Sequence, residues 1–468
     1  MGWQGNPRIS RRVVLKAGAA VGASSALAAV LAACGTSSSS GSSQTVPAAT
    51  QAVPVASQAG ASPAAKAQSG TLDYPTWMLG EAGVGDYWKE SINTFQQQNP
   101  GITLKTTNIP SNDYEDKTST QIAGGSIPDI YPVFTNMMPR LIAQGLLAPL
   151  DDYLTAASWK SQELPILKVG QRDGKTYGVV LTASPQGLLY NKQLLDKAGV
   201  AVPTTPDDFL AACKTVKEKT GAWGFALPTD TSQVQDTYIS TMQWVLGFGS
   251  DWAKADGTPS ANDPKTVDGM TFMMKVLQAN VAPTGMKVLD ARALFKDGKA
   301  AFMLDGPWVM TYVQKENPTL YPTMGYAAPP TPTHAAITGG AFFTIPKASK
   351  FKETAWKYID TVNQETWQRR WLEDLVQLPG QSIKASDPYL QKNPWVANMI
   401  DTAAKYQAGF GYAPPAPMLA PSAAEFRQIV MDGVSPIWTG SKPVKDGLDA
   451  LQQQLVDWEK SKNITPGK

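Results

Sequence analysis

Between Gly35 and Gly70 the sequence is built almost entirely from Ser, Ala, Gln, Gly, Pro, Thr and Val, and Lys66 is its one charged residue. So few bulky apolar side chains cannot offset the entropy lost when a chain is ordered. Residues 34–70 therefore read as a flexible tether, and a folded core begins only after them. The remaining stretch of roughly 400 residues is more than one hydrophobic core usually serves, so two domains are expected. The chain has two cysteines, Cys34 and Cys213. If Cys34 is modified, no disulfide can form within the mature chain, and stability must come from the core. Loss of residues 1–33 would remove Arg8, Arg11, Arg12 and Lys16 and leave 37 Lys and Arg against 39 Asp and Glu. That near-neutral balance offers no basic field for nucleic acid.

The first 33 residues carry an export signal. Ser10 to Lys16 set a pair of arginines, Arg11 and Arg12, ahead of an Ala/Gly/Val stretch that ends at Ala33. Gly18, Gly22, Ser24 and Ser25 interrupt that stretch. Small residues gain little on transfer to lipid, so it makes a poor membrane span. The order resembles a twin-arginine signal, with Val14 where Phe is commoner, and an ordinary secretory signal is the other reading. Leu31, Ala32, Ala33 and Cys34 resemble the bacterial lipobox, in which the thiol becomes a thioether to diacylglycerol; the alternative is a structural cysteine after Ala-Ala. At about 0.8 kcal/mol per buried methylene, two or three acyl chains hold a protein at a membrane essentially permanently. The expected membrane contact is an anchor and not a span.

After the tether the apolar period switches repeatedly between strand and helix, the mark of an α/β protein. Leu72 to Leu79 reads as a strand. Trp88, Ile92 and Phe95 fall at helical spacing, and Asn99, Pro100 and Gly101 stop that helix. Ile102 to Thr106 alternates as a second strand. A helix from Asp113 ends at Gly124 and Gly125, and Asp129 to Phe134 makes a third strand. Further on, Thr205 caps a helix with Pro206 in its first turn and Asp208 at the box position. Cys213 lies on that helix beside Phe209 and Val216 and is assigned to the core. Val267, Met270, Met274 and Leu277 mark another amphipathic helix, and Leu448, Leu451, Leu455 and Trp458 mark the last.

Several segments, in order, resemble the family 1 extracellular solute-binding proteins, the group that includes maltose-binding protein. They are Asn99 to Ile102, Gly125 to Ile130, Gly178 to Lys192 with its Gly187-Leu188-Leu189-Tyr190-Asn191-Lys192 ending, Gly298 to Met303, Asp305 to Trp308, and Gly339 to Ala341 with Ile345 and Pro346. Each is weak alone, and their order is what carries the resemblance. It implies a two-lobed α/β binding-protein fold of the second type, with a cleft between lobes that are joined by several crossings. The implied partners are a small-molecule solute, the permease of an ABC importer and, through Cys34, a membrane; a monomer is expected. The boundaries that follow are 71–184 for the first lobe, 185–338 for the second, 339–386 for a return to the first, and 387–468 for C-terminal helices of the second. The crossings fall near Thr182 to Gly187, near Ile337 to Ala341 and near Asp387.

Positions carried over from the family give the candidate site. Glu81 and Asp86 sit in the loop after the first strand, and Phe134, Thr135 and Asn136 close the third. Ser184 and Gln186 lie in the first crossing. From the other lobe come Gln233, Gln235, Asp236 and Tyr238, placed in a polar loop before a helix, then Trp308 after Gly-Pro, and Gly339 and Gly340, which offer backbone N–H groups. Tyr412, in the Pro-rich stretch Tyr412 to Pro421, is the last. Such a set suits a sugar, which has apolar C–H faces and a rim of hydroxyls and is best held by aromatic rings and forked polar side chains. The match to maltose-binding protein breaks down around Val133 to Met138, so maltodextrin specificity does not follow from the resemblance. Core packing is the other reading of Trp308, and it is the favoured reading of Trp77, Trp223 and Trp244.

Two other functional classes remain. A non-sugar solute such as a polyamine, a peptide or a metal chelate could use the same fold. A polyamine would need cleft carboxylates, which Glu81, Asp86, Asp236 and Asp305 could supply. A surface glycosidase would need a carboxylate pair. No catalytic motif stands out. The one histidine, His334, lies in a loop segment, which excludes His-ligated metal clusters and leaves a single candidate base. No phosphate loop or dinucleotide fingerprint is present, so no cofactor is implied.

Overall fold

The structure, a computed structural model, describes residues 69–81, 83–159, 164–410 and 415–467. The export signal, Cys34, nearly all of the tether and Tyr412 lie outside the described residues. The fold opens with β1 (Gly70–Thr76), α1 (Gly85–Gln98), β2 (Ile102–Asn108), α2 (Ser111–Ala123) and β3 (Tyr131–Phe134). β1 and β2 pair in parallel from Gly70 opposite Ile102 to Thr76 opposite Asn108. β3 is tied to β1 where the N–H groups of Asp129 and Ile130 donate to the Asp73 carbonyl at 2.9 and 3.2 Å. α1 buries Trp88, Ile92 and Phe95, as its periodicity requires, and stops where the Asn99 side-chain amide donates to the Phe95 carbonyl at 2.7 Å. β1 ends at Thr76 rather than at Leu79. The Thr76 hydroxyl accepts from the Met78 N–H at 3.2 Å and turns the chain into a single 3₁₀ turn over Met78–Gly80. Short helices α3 (Met138–Ala143) and α4 (Asp151–Ala156) follow. A two-residue hairpin, β4 (Gln171–Arg172) and β5 (Lys175–Thr176), then leads to β6 (Val179–Pro185).

Past Gln186 come β7 (Gly187–Asn191), α5 (Lys192–Ala198), α6 (Pro206–Thr220), β8 (Trp223–Phe225), α7 (Val234–Gly247), α8 (Pro264–Gln278) and α9 (Val288–Lys296), then β9 (Ala300–Asp305), α10 (Trp308–Glu316) and β10 (Met324–Ala327). Their strands form one sheet in the order β10-β7-β9-β8, with β7 antiparallel to both neighbours and β8 parallel to β9. Thr205 caps α6 as its sequence suggests. Its hydroxyl accepts from the Asp208 N–H at 3.2 Å and donates to the Asp208 carboxylate at 2.7 Å. The next strand, β11 (Ala336–Thr344), is followed by α11 (Lys352–Asn363), α12 (Glu365–Leu375), α13 (Asp387–Lys392), α14 (Trp395–Lys405), β12 (Gln407–Phe410), α15 (Ala423–Trp438) and α16 (Val444–Ser461).

Buried apolar side chains divide between two lobes. The first lobe's core takes residues from Leu72 to Ala183, Phe95 and Tyr131 among them, and is completed by Ala341 to Leu375, which brings Phe343 and Tyr358. The second lobe covers both faces of its sheet. On one face Phe209, Cys213, Trp244, Phe302, Phe426 and Leu451 pack together. On the other face Phe295, Met303, Met310 and Tyr326 pack with Trp395 and Met399. The chain starts back toward the second lobe on α12, where Leu372 and then Val376 join this last group while Leu375 still belongs to the first. That return precedes the boundary placed near Asp387, because α12 presents one face to each core. Cys213 is fully buried, and burial raises its thiol pKa well above the usual value.

Phe209 has no exposure and meets Phe225, Phe302 and Trp244 at centroid distances of 5.1, 5.5 and 6.0 Å. Phe209→Ala is expected to cost about 3–5 kcal/mol, and Thr205→Ala, which removes only the cap, about 1 kcal/mol. Urea unfolding followed by tryptophan fluorescence measures both; equal losses would contradict the placement of Phe209 in the core.

Candidate functional site

β11 is the structural axis of the site. Its first residues pair in parallel with β12, and Thr338, Gly339 and Gly340 lie antiparallel to Pro185, Ser184 and Ala183 of β6. From Ala341 onward β11 also pairs with β3. Ala335 and Ile337 pack in the second lobe's core and Ala341 to Phe343 in the first's, so β11 runs from one lobe into the other. β6 makes the opposite passage at Gln186, whose N–H donates to the Ile337 carbonyl at 2.7 Å. A third segment lies alongside. Thr182 donates its hydroxyl to the Leu378 carbonyl at 2.8 Å, and Ser184 accepts from the Leu378 N–H at 3.1 Å. Ser184 is fully buried, and its hydroxyl is engaged in joining the crossings to one another.

Trp308 starts α10, immediately beyond β9, and is half-buried. A methyl group on Gly306 would come within 2.2 Å of its ring and one on Gly339 within 2.9 Å. Glycine at both positions lets the indole approach backbone from two segments. Behind it, Arg292 from α9 donates to both carboxylate oxygens of Asp305, at 2.7 and 3.2 Å, and its guanidinium carbon lies 5.7 Å from the Trp308 ring centre. Asp305 also accepts from the Gly306 N–H at 2.7 Å. One turn along α10, the Tyr312 hydroxyl donates to Glu81 of the first lobe at 2.9 Å. Burial, then the Glu81 carboxylate, raises the Tyr312 pKa, so this donor stays protonated at any ordinary pH.

On the first lobe, Phe134 packs against Trp77 with ring centres 4.1 Å apart and planes tilted by 31°. Thr135 donates its N–H and its hydroxyl to the Gly340 carbonyl at 3.1 and 2.7 Å, which fixes the turn after β3 to β11. Asn136, next in sequence, is 3% exposed; it donates its amide to Glu115 at 2.6 Å, and its carbonyl oxygen is buried without a partner. Gln186 accepts from the Gln243 amide of α7 at 2.6 Å. Glu81, Trp308, Gly339, Gly340, Phe134, Asn136, Ser184 and Gln186 thus form one connected set along the crossings.

Asp86 is on the outer face of α1, its side chain 96% exposed, and pairs with Lys89 at 3.2 Å. Gln235, Asp236 and Tyr238 are not in a loop, because α7 already begins at Val234. Gln235 and Asp236 occupy its first turn and are partly exposed. Tyr238 is a correction to the sequence reading. It has no exposure, its ring sits in the second lobe's core, and its hydroxyl is buried without a hydrogen-bond partner. Trp77 and Trp244 are buried, and Trp223 is partly buried. His334 lies in a turn with its Nδ1 2.9 Å from the Pro329 carbonyl and its ring against Tyr406. Sequence reasoning missed Tyr312, Gln243, Arg292 and Glu115. Tyr312 alone had a local signal, since it falls four residues after Trp308 on the same helix. Among the described residues no acidic, His or Cys cluster could hold a metal ion, and no helix is long and apolar enough to cross a membrane.

This architecture has relatives. A putative binding protein of Brucella abortus is 28% identical over 320 residues, covering 67% of this chain and 77% of that protein. Among solved structures, the acarbose-binding receptor of Streptomyces glaucescens superposes with a TM-score of 0.73 at 21% identity, covering 84% of this chain and 98% of that one. An ABC transporter solute-binding protein of Agrobacterium vitis with bound D-mannitol gives 0.70 at 22% identity, covering 85% and 100%. Both share the two-lobed fold. Residues 90–398 match the family model for bacterial extracellular solute-binding proteins, and the chain belongs to that family.

Proposed function

We propose that this protein is the solute receptor of an ABC importer and that its solute is a sugar or sugar-like polyol, held between the lobes along β11. The observation that carries the reading is the Trp308 ring, half-buried against Gly306 and Gly339 at the crossing, with Tyr312 one turn along α10 donating to Glu81 of the other lobe. A flat apolar face flanked by hydrogen-bonding groups of both kinds matches the C–H faces and hydroxyl rim of a sugar. The acarbose and D-mannitol complexes of structurally similar proteins support the same ligand class. The polyamine reading draws less support. Of the carboxylates it would need, Asp305 is neutralised by Arg292 and Asp86 points outward to Lys89.

Capture works by lobe closure. A solute that touches both lobes stabilises the closed state by its differential affinity, whereas one that touches a single lobe would shift nothing. The closed surface is what a permease would recognise. Cys34 is the proposed lipid attachment point, with export through the signal of residues 1–33 and the tether giving reach from the outer face of the cytoplasmic membrane.

A thermal-shift screen against sugars, polyols, polyamines and peptides tests the ligand class. At 100 times Kd a ligand bound only by the folded state adds about 2.7 kcal/mol, several degrees in Tm. A shift with a sugar recovered unchanged is the expected result; shifts with polyamines or peptides alone would overturn the sugar, and conversion of the sugar would overturn the receptor. Trp308→Ala should weaken sugar binding by about 1–3 kcal/mol, the range of aromatic stacking and hot-spot truncations. Unchanged affinity with a large fall in Tm would make the ring part of the core. Cys34→Ser should move the protein from the membrane pellet to the soluble fraction of cells expressing it, and persistence in the pellet would refute the anchor.

A further inference from the structure

Glu115 of α2 joins the candidate site to both lobes. One of its oxygens accepts from the Asn136 amide at 2.6 Å, which leaves the Asn136 carbonyl oxygen buried and without a hydrogen-bond partner. The other oxygen lies 3.5 Å from the Arg140 guanidinium of α3, which also donates to Ser119 at 3.0 Å. From the second lobe, Arg427 of α15 brings its guanidinium to 3.9 Å from the oxygen that holds Asn136. Arg427 is 5% exposed, and α15 packs into the second lobe's core through Phe426 and Val430. The Glu115 side chain is 20% exposed. Charges so far withdrawn from water are weakly screened, so the contact across the lobes is felt more strongly than a surface ion pair.

We infer that Glu115 is a positioning residue that couples solute capture to lobe closure: it aims the Asn136 carbonyl oxygen at the solute and receives Arg427 when the lobes meet. The inference rests on Asn136 being a solute contact. An amide whose N–H₂ is committed to a carboxylate has one orientation, with its oxygen available as an acceptor for a hydroxyl. Because the same carboxylate faces Arg427, closing the lobes stiffens Asn136, and a solute bound at Asn136 holds in place the carboxylate that faces Arg427. That is a reciprocal coupling between a binding contact and a conformational contact.

Glu115→Gln separates the two roles, since its carboxamide oxygen can still accept from Asn136 while the charge facing Arg427 is gone. Spin labels at Lys357→Cys on the first lobe and Lys275→Cys on the second, both exposed, report lobe separation in a Cys34→Ser background, and the buried Cys213 stays unlabelled. In the full-length protein Glu115→Gln is expected to shift the distance distribution toward longer separations. It should also weaken whichever of acarbose or D-mannitol binds by about tenfold, with faster dissociation and a Tm close to the parent's. In an Arg427→Gln background, which removes the facing charge, the same substitution should have a smaller effect than alone. Distance distributions that are identical in the parent and in Glu115→Gln would overturn the coupling, as would strictly additive effects. Should neither probe bind the parent protein, the sugar reading fails on its own, and the distance measurement still decides the role of Glu115.

Discussion

Strand β11 is the element on which the rest of the molecule depends. Its backbone N–H and C=O groups must all be paired, and they are paired with β12, β6 and β3 in turn. The lobes are therefore joined through a hydrogen-bonded ladder. Gln186 and Leu378 are fastened to the same line by Ile337, Thr182 and Ser184. Any change in the angle between lobes has to be absorbed along these crossings, and the residues proposed to meet the solute sit on them or one turn away.

Close packing at that line explains the chemistry offered there. Trp308 can lie beside two backbone segments only because Gly306 and Gly339 have no side chains. The carboxylates named above have partners: Asp305 pairs with Arg292, Glu81 accepts from the Tyr312 hydroxyl, and Glu115 accepts from Asn136 and pairs with Arg140. Matching lowers the cost of burying these charges and fixes their orientation.

Much of this was legible in the sequence where the signal is local. The β-α-β-α-β opening, the Thr205 cap and the core positions of Cys213, Trp244 and Trp458 follow from spacing and turn chemistry, and the ordered motifs gave the family. The sequence reading erred where tertiary contacts compete with local pattern. Tyr238 looked like a polar loop residue, yet α7 starts earlier and buries its ring. Asp86 looked close to the cleft because Glu81 is, yet helical turn geometry carries it to the outer face of α1. The return to the second lobe comes on α12 because that helix is apolar on two faces, which a single periodicity does not distinguish.

Sequence alone determined where a core can start, which segments become strands or helices, and that aromatic and amide side chains gather near Gly-rich crossings. These depend on residues a few positions apart. Only the tertiary structure decided which carboxylate is neutralised by which cation, that Tyr312 reaches Glu81 and that Arg427 reaches Glu115. Those pairs are remote in sequence, and their meeting depends on how two cores pack on either side of one shared strand.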